Sequence, residues 1–306
     1  MIKLLKKEIN FYEKNGWVKT SLNLSENQLK TYQNSVNELI NKAIKNKHKY
    51  RRIYFDYLFK FNIAAIELPL HKSICNKGVY DLFKKIKLGR NVNKLLKSKK
   101  CICLLNRLFT MKNYNYSGHM HQDHQLKKKR VQVMIYLNDE DGFRIFKKKY
   151  EHKIKQIFFS KKLESSTNFY LPIKFEEKYL HTINAKAGEI LFFDPAIPHQ
   201  GIYKNNRMVF HLRFDEFKEH LHKKFYLDKN LDFINRKEYD PNLDLDKSNI
   251  DFPKANRSKF FIRILNTINY FFPILNLIRL FKLRRNFQFN KNKFDVFSNT
   301  FYQKKI

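Results

Sequence analysis

The chain has 306 residues, 43% of them hydrophobic and 16% aromatic, which supplies enough apolar material for a sizeable core and excludes an intrinsically disordered chain. Lys and Arg number 62 against 28 Asp and Glu, for a net charge of +34, but Lys recurs everywhere beside Asn, Ile, Phe and Tyr. That company reads as AT-rich codon usage on a solvated surface, so nucleic acid is not expected as a partner.

Cys75, Cys101 and Cys103 lack C-x-x-C spacing and lie in apolar surroundings, so they read as reduced structural thiols. The opening "MIKLLKKEINFYEKNGW" has no apolar run of signal-peptide length, and a cytoplasmic protein is expected. Ser25 and Gln28 stand at capping-box spacing before apolar residues at helical intervals, which predicts a helix over about 26–45. Residues 50–68 and 78–97 also read as helical, with "CNKGVY" breaking the run between them. The stretch 1–100 is therefore expected to be mostly α.

From residue 101 the period changes. Segments such as "CICLLNRLFTMKNYNY", "RVQVMIYLN", "GFRIFKKKY", "EILFFD" and "MVFHLRF" are short, β-branched or aromatic, and separated by Gly, Asn, Asp or Pro. Seven or eight such strands over 101–217, without helix-length insertions, predict a jelly roll or barrel. In the last of them Arg207, Val209, His211 and Arg213 share one face, and Met208, Phe210, Leu212 and Phe214 the other. Residues 218–306 read as a polar connector followed by a basic, amphipathic C-terminal helical extension. Within it, apolar residues at 257–285 are flanked by Arg257, Lys259 and Arg263 on one side and Lys282, Arg284 and Arg285 on the other. That block fits either a helix in an anionic membrane interface or a helix covering the barrel.

The stretch "SGHMHQDHQL" carries the chemistry. A redox iron used with oxygen needs protein ligands on one face only, and two His with one carboxylate provide them. In an extended segment positions i and i+2 project to the same side, so His121 and Asp123 can supply two ligands from one piece of backbone. His119 and His121 share that spacing, but Asp123 is the one carboxylate nearby, which favours the His121–Asp123 pairing. The distant third candidate is His199 in "GEILFFDPAIPHQG". Arg207 follows across the turn "YKNNR", where antiparallel pairing is expected to bring it near His199. A guanidinium can grip the far carboxylate of a dicarboxylate bidentately. Arg213, on the same strand face, is the second candidate. His181 reads as a loop histidine, and His211 as either a pocket or a core residue.

"HQDH" with "VQVMIYLND", and "GEILFFDPAIPHQG" with "NRMVFHLRF", resemble the Fe(II)/2-oxoglutarate dioxygenase superfamily, most of all its phytanoyl-CoA dioxygenase-like branch. "INFYEKNGWVKTSLNLSENQLKTYQNSVNELI" is similar to the family's opening strand and helix, so the resemblance spans residues 9–215. It implies an α+β protein with a mainly β core, a double-stranded β-helix (jelly roll) flanked by N-terminal helices. It implies an oxygenase domain at 1–217, iron held by His121, Asp123 and His199, and 2-oxoglutarate anchored by Arg207 or Arg213. The expected activity is hydroxylation of a small-molecule, lipid or glycan-linked substrate. The alternatives are a cupin-like metal enzyme without 2-oxoglutarate and a basic membrane- or nucleic-acid-binding protein with a degenerate barrel.

Overall fold

A computed structural model describes residues 2–45, 53–56, 62–67, 76–110, 114–117, 120–123, 129–150, 163–164, 168–171, 177–203, 206–221, 225–236 and 302–304. The N-terminal part runs α1 (Lys6–Asn15), β1 (Trp17–Ser21), α2 (Glu26–Lys45), β2 (Ile53–Asp56), β3 (Asn62–Glu67), α3 (Lys77–Ile86) and α4 (Leu88–Leu96). The strands that follow are β4 (Cys101–Phe109), β5 (Tyr114–Ser117), β6 (Met120–Asp123), β7 (Arg130–Tyr136), β8 (Glu140–Phe146), β9 (Leu163–Glu164) and β10 (Asn168–Leu171). The last are β11 (Leu180–Ala185), β12 (Glu189–Phe193), β13 (His199–Gln200), β14 (Ile202–Tyr203), β15 (Val209–Glu216), β16 (Phe225–Leu227), β17 (Ile234–Arg236) and β18 (Tyr302–Lys304).

Two sheets face each other. The larger has the order β1-β12-β7-β15-β4-β17-β16, with β3 and then β2 added at β4, and the smaller runs β11-β8-β13-β6-β10-β9. Short β14, β5 and β18 form a third sheet. Strand alternation divides the large sheet's side chains between two cores. Val133 and Ile135 of β7, Phe192 of β12, and Phe210, Leu212 and Phe214 of β15 pack under the helices. Met134, Tyr136, Leu191, Phe193 and Val209 point the other way, into the space between the sheets, where Phe143 and Ile145 of β8 meet them. This is the expected jelly roll flanked by N-terminal helices, and it is not closed into a barrel among the described residues.

The α2 capping box forms as expected: Ser25 N–H donates to Gln28 Oε1 at 3.2 Å and Gln28 N–H to Ser25 Oγ at 3.3 Å. The expected helix at 78–97 is two helices, separated at Lys87 by a left-handed backbone with φ 55°.

Three expectations are corrected. Within 50–68 the described residues are not helical: 53–56 and 62–67 form β2 and β3, and β3 pairs antiparallel with β4 through Ala65↔Phe109, Ile66↔Leu108 and Glu67↔Arg107. The β-branched and aromatic content of "RIYFD" and "NIAAIE" suits a pleated edge, and β4 offers the edge to pair with. His181 lies in β11 rather than a loop, its ring 5.6 Å from that of Trp17. The segment after 217 does not begin as a loose connector, since β17 pairs in parallel with β4 and Leu231 and Phe233 join the helix-side core. Apolar residues spaced among its acids made that docking possible without a strand-like pattern. The C-terminal helical extension and the block 257–285 lie outside the described residues. No helix among the described residues is long and apolar enough to cross a membrane.

Candidate metal centre

His121 and His199 stand directly opposite one another where β13 pairs with β6, and their ring centroids are 4.4 Å apart. His199 also sits across from Ile145 of β8, so it occupies the middle of the smaller sheet. Its side chain is buried, with the Phe193 ring edge-on at 5.0 Å and the Phe143 ring at 5.9 Å. Nδ1 of His199 lies 2.9 Å from the carbonyl oxygen of Ile197. A carbonyl can only accept, so Nδ1 carries the proton and Nε2 presents the lone pair, the tautomer a metal ligand needs. The "PAIPH" loop therefore sets both the position and the protonation of the imidazole.

Asp123 closes β6 two positions after His121, opposite Asn168 of β10. Among the described residues no group of three or more His, Cys, Asp and Glu side chains assembles; the paired imidazoles are the part of the expected ligand set whose side chains are described. His119 and His124 lie outside the described residues.

Arg207 does not reach its place by a hairpin with His199, as the sequence spacing suggested. His199 belongs to the smaller sheet while β15 pairs with β4 and β7 of the larger one, so the two residues lie on different sheets. Arg207, just before β15, is buried and donates from Nε to Glu140 Oε1 at 2.9 Å. Its guanidinium also lies over the Phe109 ring at 4.6 Å. A ladder of rings joins it to the imidazole pair: His199 to Phe193 at 5.0 Å, Phe193 to His211 at 6.2 Å, and His211 to Phe109 at 5.8 Å. Nε2 of His211 donates to Oε1 of Gln132, which is fully buried. Arg213, half-buried, is opposite Gln132 of β7 and Leu105 of β4.

Glu140, Gln132 and Phe193 are the residues that sequence reasoning passed over. Glu140 sits in "LNDEDG", which reads as a turn, and burial pushes its carboxyl above the ordinary range while Arg207 pulls it back. Its position opening β8 ahead of Gly142 was the available signal. Burial likewise pushes the Cys103 thiol up to about 12, and Cys101 higher still, in keeping with structural thiols.

The two facing sheets form a jelly roll, with the histidine pair on inner strands of the smaller one. The crystal structure of EctD from S. alaskensis with 2-oxoglutarate and 5-hydroxyectoine shares this fold, with a TM-score of 0.52 and 12% identity over 72% of this chain and 79% of that one. AviO1 from Streptomyces viridochromogenes Tue57 is similar at a TM-score of 0.49 and 11% identity, covering 71% of this chain and 97% of that one. HygX from Streptomyces hygroscopicus with nickel and 2-oxoglutarate bound gives a TM-score of 0.45 and 9% identity over 70% and 88%. No protein-family model and no curated protein matches the sequence.

Proposed function

We propose that the chain is an Fe(II)- and 2-oxoglutarate-dependent oxygenase of the phytanoyl-CoA dioxygenase-like kind, hydroxylating a small molecule. The observation that carries this reading is the apposed His121–His199 pair, with His199 fixed in the ligand tautomer by the Ile197 carbonyl. The residues fit iron: two imidazoles come from adjacent strands, and Asp123, on the same piece of backbone as His121, would supply the carboxylate. When bound, the metal and 2-oxoglutarate supply the oxidising chemistry. The chain's own part is to hold, orient and keep dry. Phe143 and Phe193 shield one side of His199. Arg207, held by Glu140 and Phe109, is the group proposed to receive the far carboxylate of 2-oxoglutarate. The 2-oxoglutarate in the EctD structure, which has the same fold, supports that co-substrate.

The test is anaerobic Fe(II) titration of the full chain followed by 2-oxoglutarate binding. One Fe(II) per chain is expected, with affinity lowered at least about tenfold in His121→Ala and in His199→Ala, a loss of roughly 1.4 kcal/mol or more. Arg207→Lys should weaken 2-oxoglutarate and leave iron in place, because a point charge replaces a fork. Unchanged iron affinity in both histidine variants sinks the assignment. Iron binding without 2-oxoglutarate binding would favour the cupin-like alternative.

The domain reading is proposed in extended form: an oxygenase unit over 1–217 completed by β16 and β17. The basic, apolar block at 257–285 is proposed to bring the protein to anionic membrane surfaces.

A further inference from the structure

His199 is held by the turn that precedes it. Asp194, Pro195, Ala196 and Ile197 form a β-turn, closed by Ile197 N–H donating to the Asp194 carbonyl at 3.1 Å. Asp at the first position and Pro at the second are the residues such a turn favours. The Asp194 side chain closes it a second time, since Oδ1 accepts from Ala196 N–H at 2.9 Å. Pro195 and Pro198 fix their own φ and narrow the conformations open to Asp194 and Ile197, the residues before them. At the end of the turn the Ile197 carbonyl accepts from His199 Nδ1 at 2.9 Å.

Both ends of the turn are tied to other elements. Asp194 N–H donates to the Gly16 carbonyl at 2.8 Å, and Phe146 N–H of β8 donates to the Pro198 carbonyl at 2.9 Å. Gly16 ends α1 in the left-handed region, at φ 79°, with its N–H on the Tyr12 carbonyl at 2.6 Å. A Cβ there would overlap Cδ1 of Ile197, which is buried. The end of α1 and the Ile197 side chain therefore meet where glycine alone fits. Trp17, next in the chain, pairs with Phe193, whose ring stands edge-on to His199. Burial pushes the Asp194 carboxyl up, and the Ala196 N–H pulls it back. What the turn requires of Asp194 is an acceptor oxygen, which an amide also offers.

We propose that Asp194 is a positioning residue of the metal centre: by closing the turn seated on Gly16, it aims the Ile197 carbonyl at His199 and so holds the imidazole with Nδ1 protonated and the Nε2 lone pair presented to the metal. The oxygenase reading supplies the identity of that metal, and on it this role rests. The effect travels through backbone. Without the Asp194 oxygen, Ala196 N–H loses this acceptor, the peptide between Ala196 and Ile197 is released, and the Ile197 carbonyl no longer selects one tautomer of His199.

The tautomer can be read directly. Long-range proton–nitrogen spectra of the full chain, labelled with nitrogen-15 at histidine, free of metal and held well above the ordinary histidine value of about 6.5, give a distinct pattern for each tautomer. His199 is picked out of the 11 histidines by the signals missing in His199→Gln. The parent should show His199 protonated at Nδ1 alone. Asp194→Ala should divide it between the two forms and weaken anaerobic Fe(II) binding about tenfold, the lower end of what outer partners of ligand histidines contribute. Asp194→Asn should keep the parent tautomer and the parent Fe(II) affinity. Gly16→Ala should disturb His199 from the α1 side, and adding Ile197→Val, which removes Cδ1, should restore the tautomer although the strain at φ 79° remains. A single Nδ1–H form in Asp194→Ala, or an Asp194→Asn disturbed as much as Asp194→Ala, overturns the proposal. Where melting shows that Asp194→Ala does not fold, the Gly16 pair decides, and absence of restoration by Ile197→Val overturns it. If the tautomer responds as expected while the parent binds no Fe(II), the oxygenase reading fails and the hold of Asp194 on His199 stands.

Discussion

Glu140 and Arg207 are each almost fully buried, at 3% and 4% side-chain exposure, so their pairing is a matter of desolvation as much as attraction. Removing one member of such a pair leaves a buried charge uncompensated, which costs about 3–5 kcal/mol. Glu140→Ala should therefore lower stability to chemical denaturation by about that amount, and Glu140→Gln by less, because an amide oxygen still accepts from Nε. The pH dependence has a definite sign. Burial raises the folded-state value of Glu140 above its unfolded one, so its contribution is fully present below the ordinary carboxylate range and is lost as pH rises through the raised value. The stability of the parent relative to Glu140→Gln should thus fall across that window and be flat above it; a rise across it contradicts the assignment. At this scale the sequence was partly legible. His121, Asp123 and His199 stood out because histidines and acids at ligand spacing are rare, whereas Glu140 was hidden among the acids of a turn and its partner lies 67 positions away.

Elements are joined here by close approaches that demand particular small residues. In the first turn of α3, Gly78 lies against Ser35 of α2, and a Cβ added at Gly78 would be 2.7 Å from the Ser35 Cβ. Asn76 reinforces the junction by accepting from Val79 N–H at 3.0 Å and donating to the Ser35 carbonyl. A β-carbon cannot swing aside as a side-chain tip can. Gly78→Ala would gain up to about 1 kcal/mol of helix propensity, yet overpacking costs about 1–3 kcal/mol. The variant should be less stable than the parent in urea, and Ser35→Gly should recover part of the loss in the double variant. Strict additivity would show that the helices do not meet there. Helix α2 was readable because its caps and period agree, and the strands from 101 onward because their turns are marked. The segment 50–68 was not, since its apolar spacing suits either period and the deciding factor is β4, an edge found some 40 residues later.

The extent of the folded unit is the question at the scale of the molecule. Residues 225–236 are tied in at several points: Tyr80 O–H donates to Asp228 at 2.7 Å, Lys87 Nζ donates to the Asn230 carbonyl at 3.0 Å, and the Phe233 ring stands edge-on to Phe214 at 5.2 Å. Asp232 accepts from the backbone N–H groups of Gly89 and Arg90, both at 2.9 Å, capping the first turn of α4 from outside the helix. Gly89 is required by that approach, for a Cβ there would meet the Asp232 backbone. A chain ending at 217 loses this cap together with the buried surface of Leu231, Phe233 and Ile234. It should unfold at a markedly lower temperature, since each such side chain contributes about 1.5–3 kcal/mol on full burial. A chain ending at 250 retains all of these contacts and, among the described residues, gives up only the short β18 with its pairing to β5, so it should melt close to the full chain. The same pair of lengths separates folding from membrane attraction. Basic residues near an anionic surface contribute about 1 kcal/mol each, so the full chain should sediment with anionic vesicles and be partly released by salt, while the 250-residue chain stays in the supernatant with its melting temperature intact. A large loss of thermal stability in the 250-residue chain, beyond what restoring β18 to β5 recovers, would instead make 257–285 a packed part of the fold, and equal sedimentation of the two chains would move the membrane contact onto the jelly-roll unit.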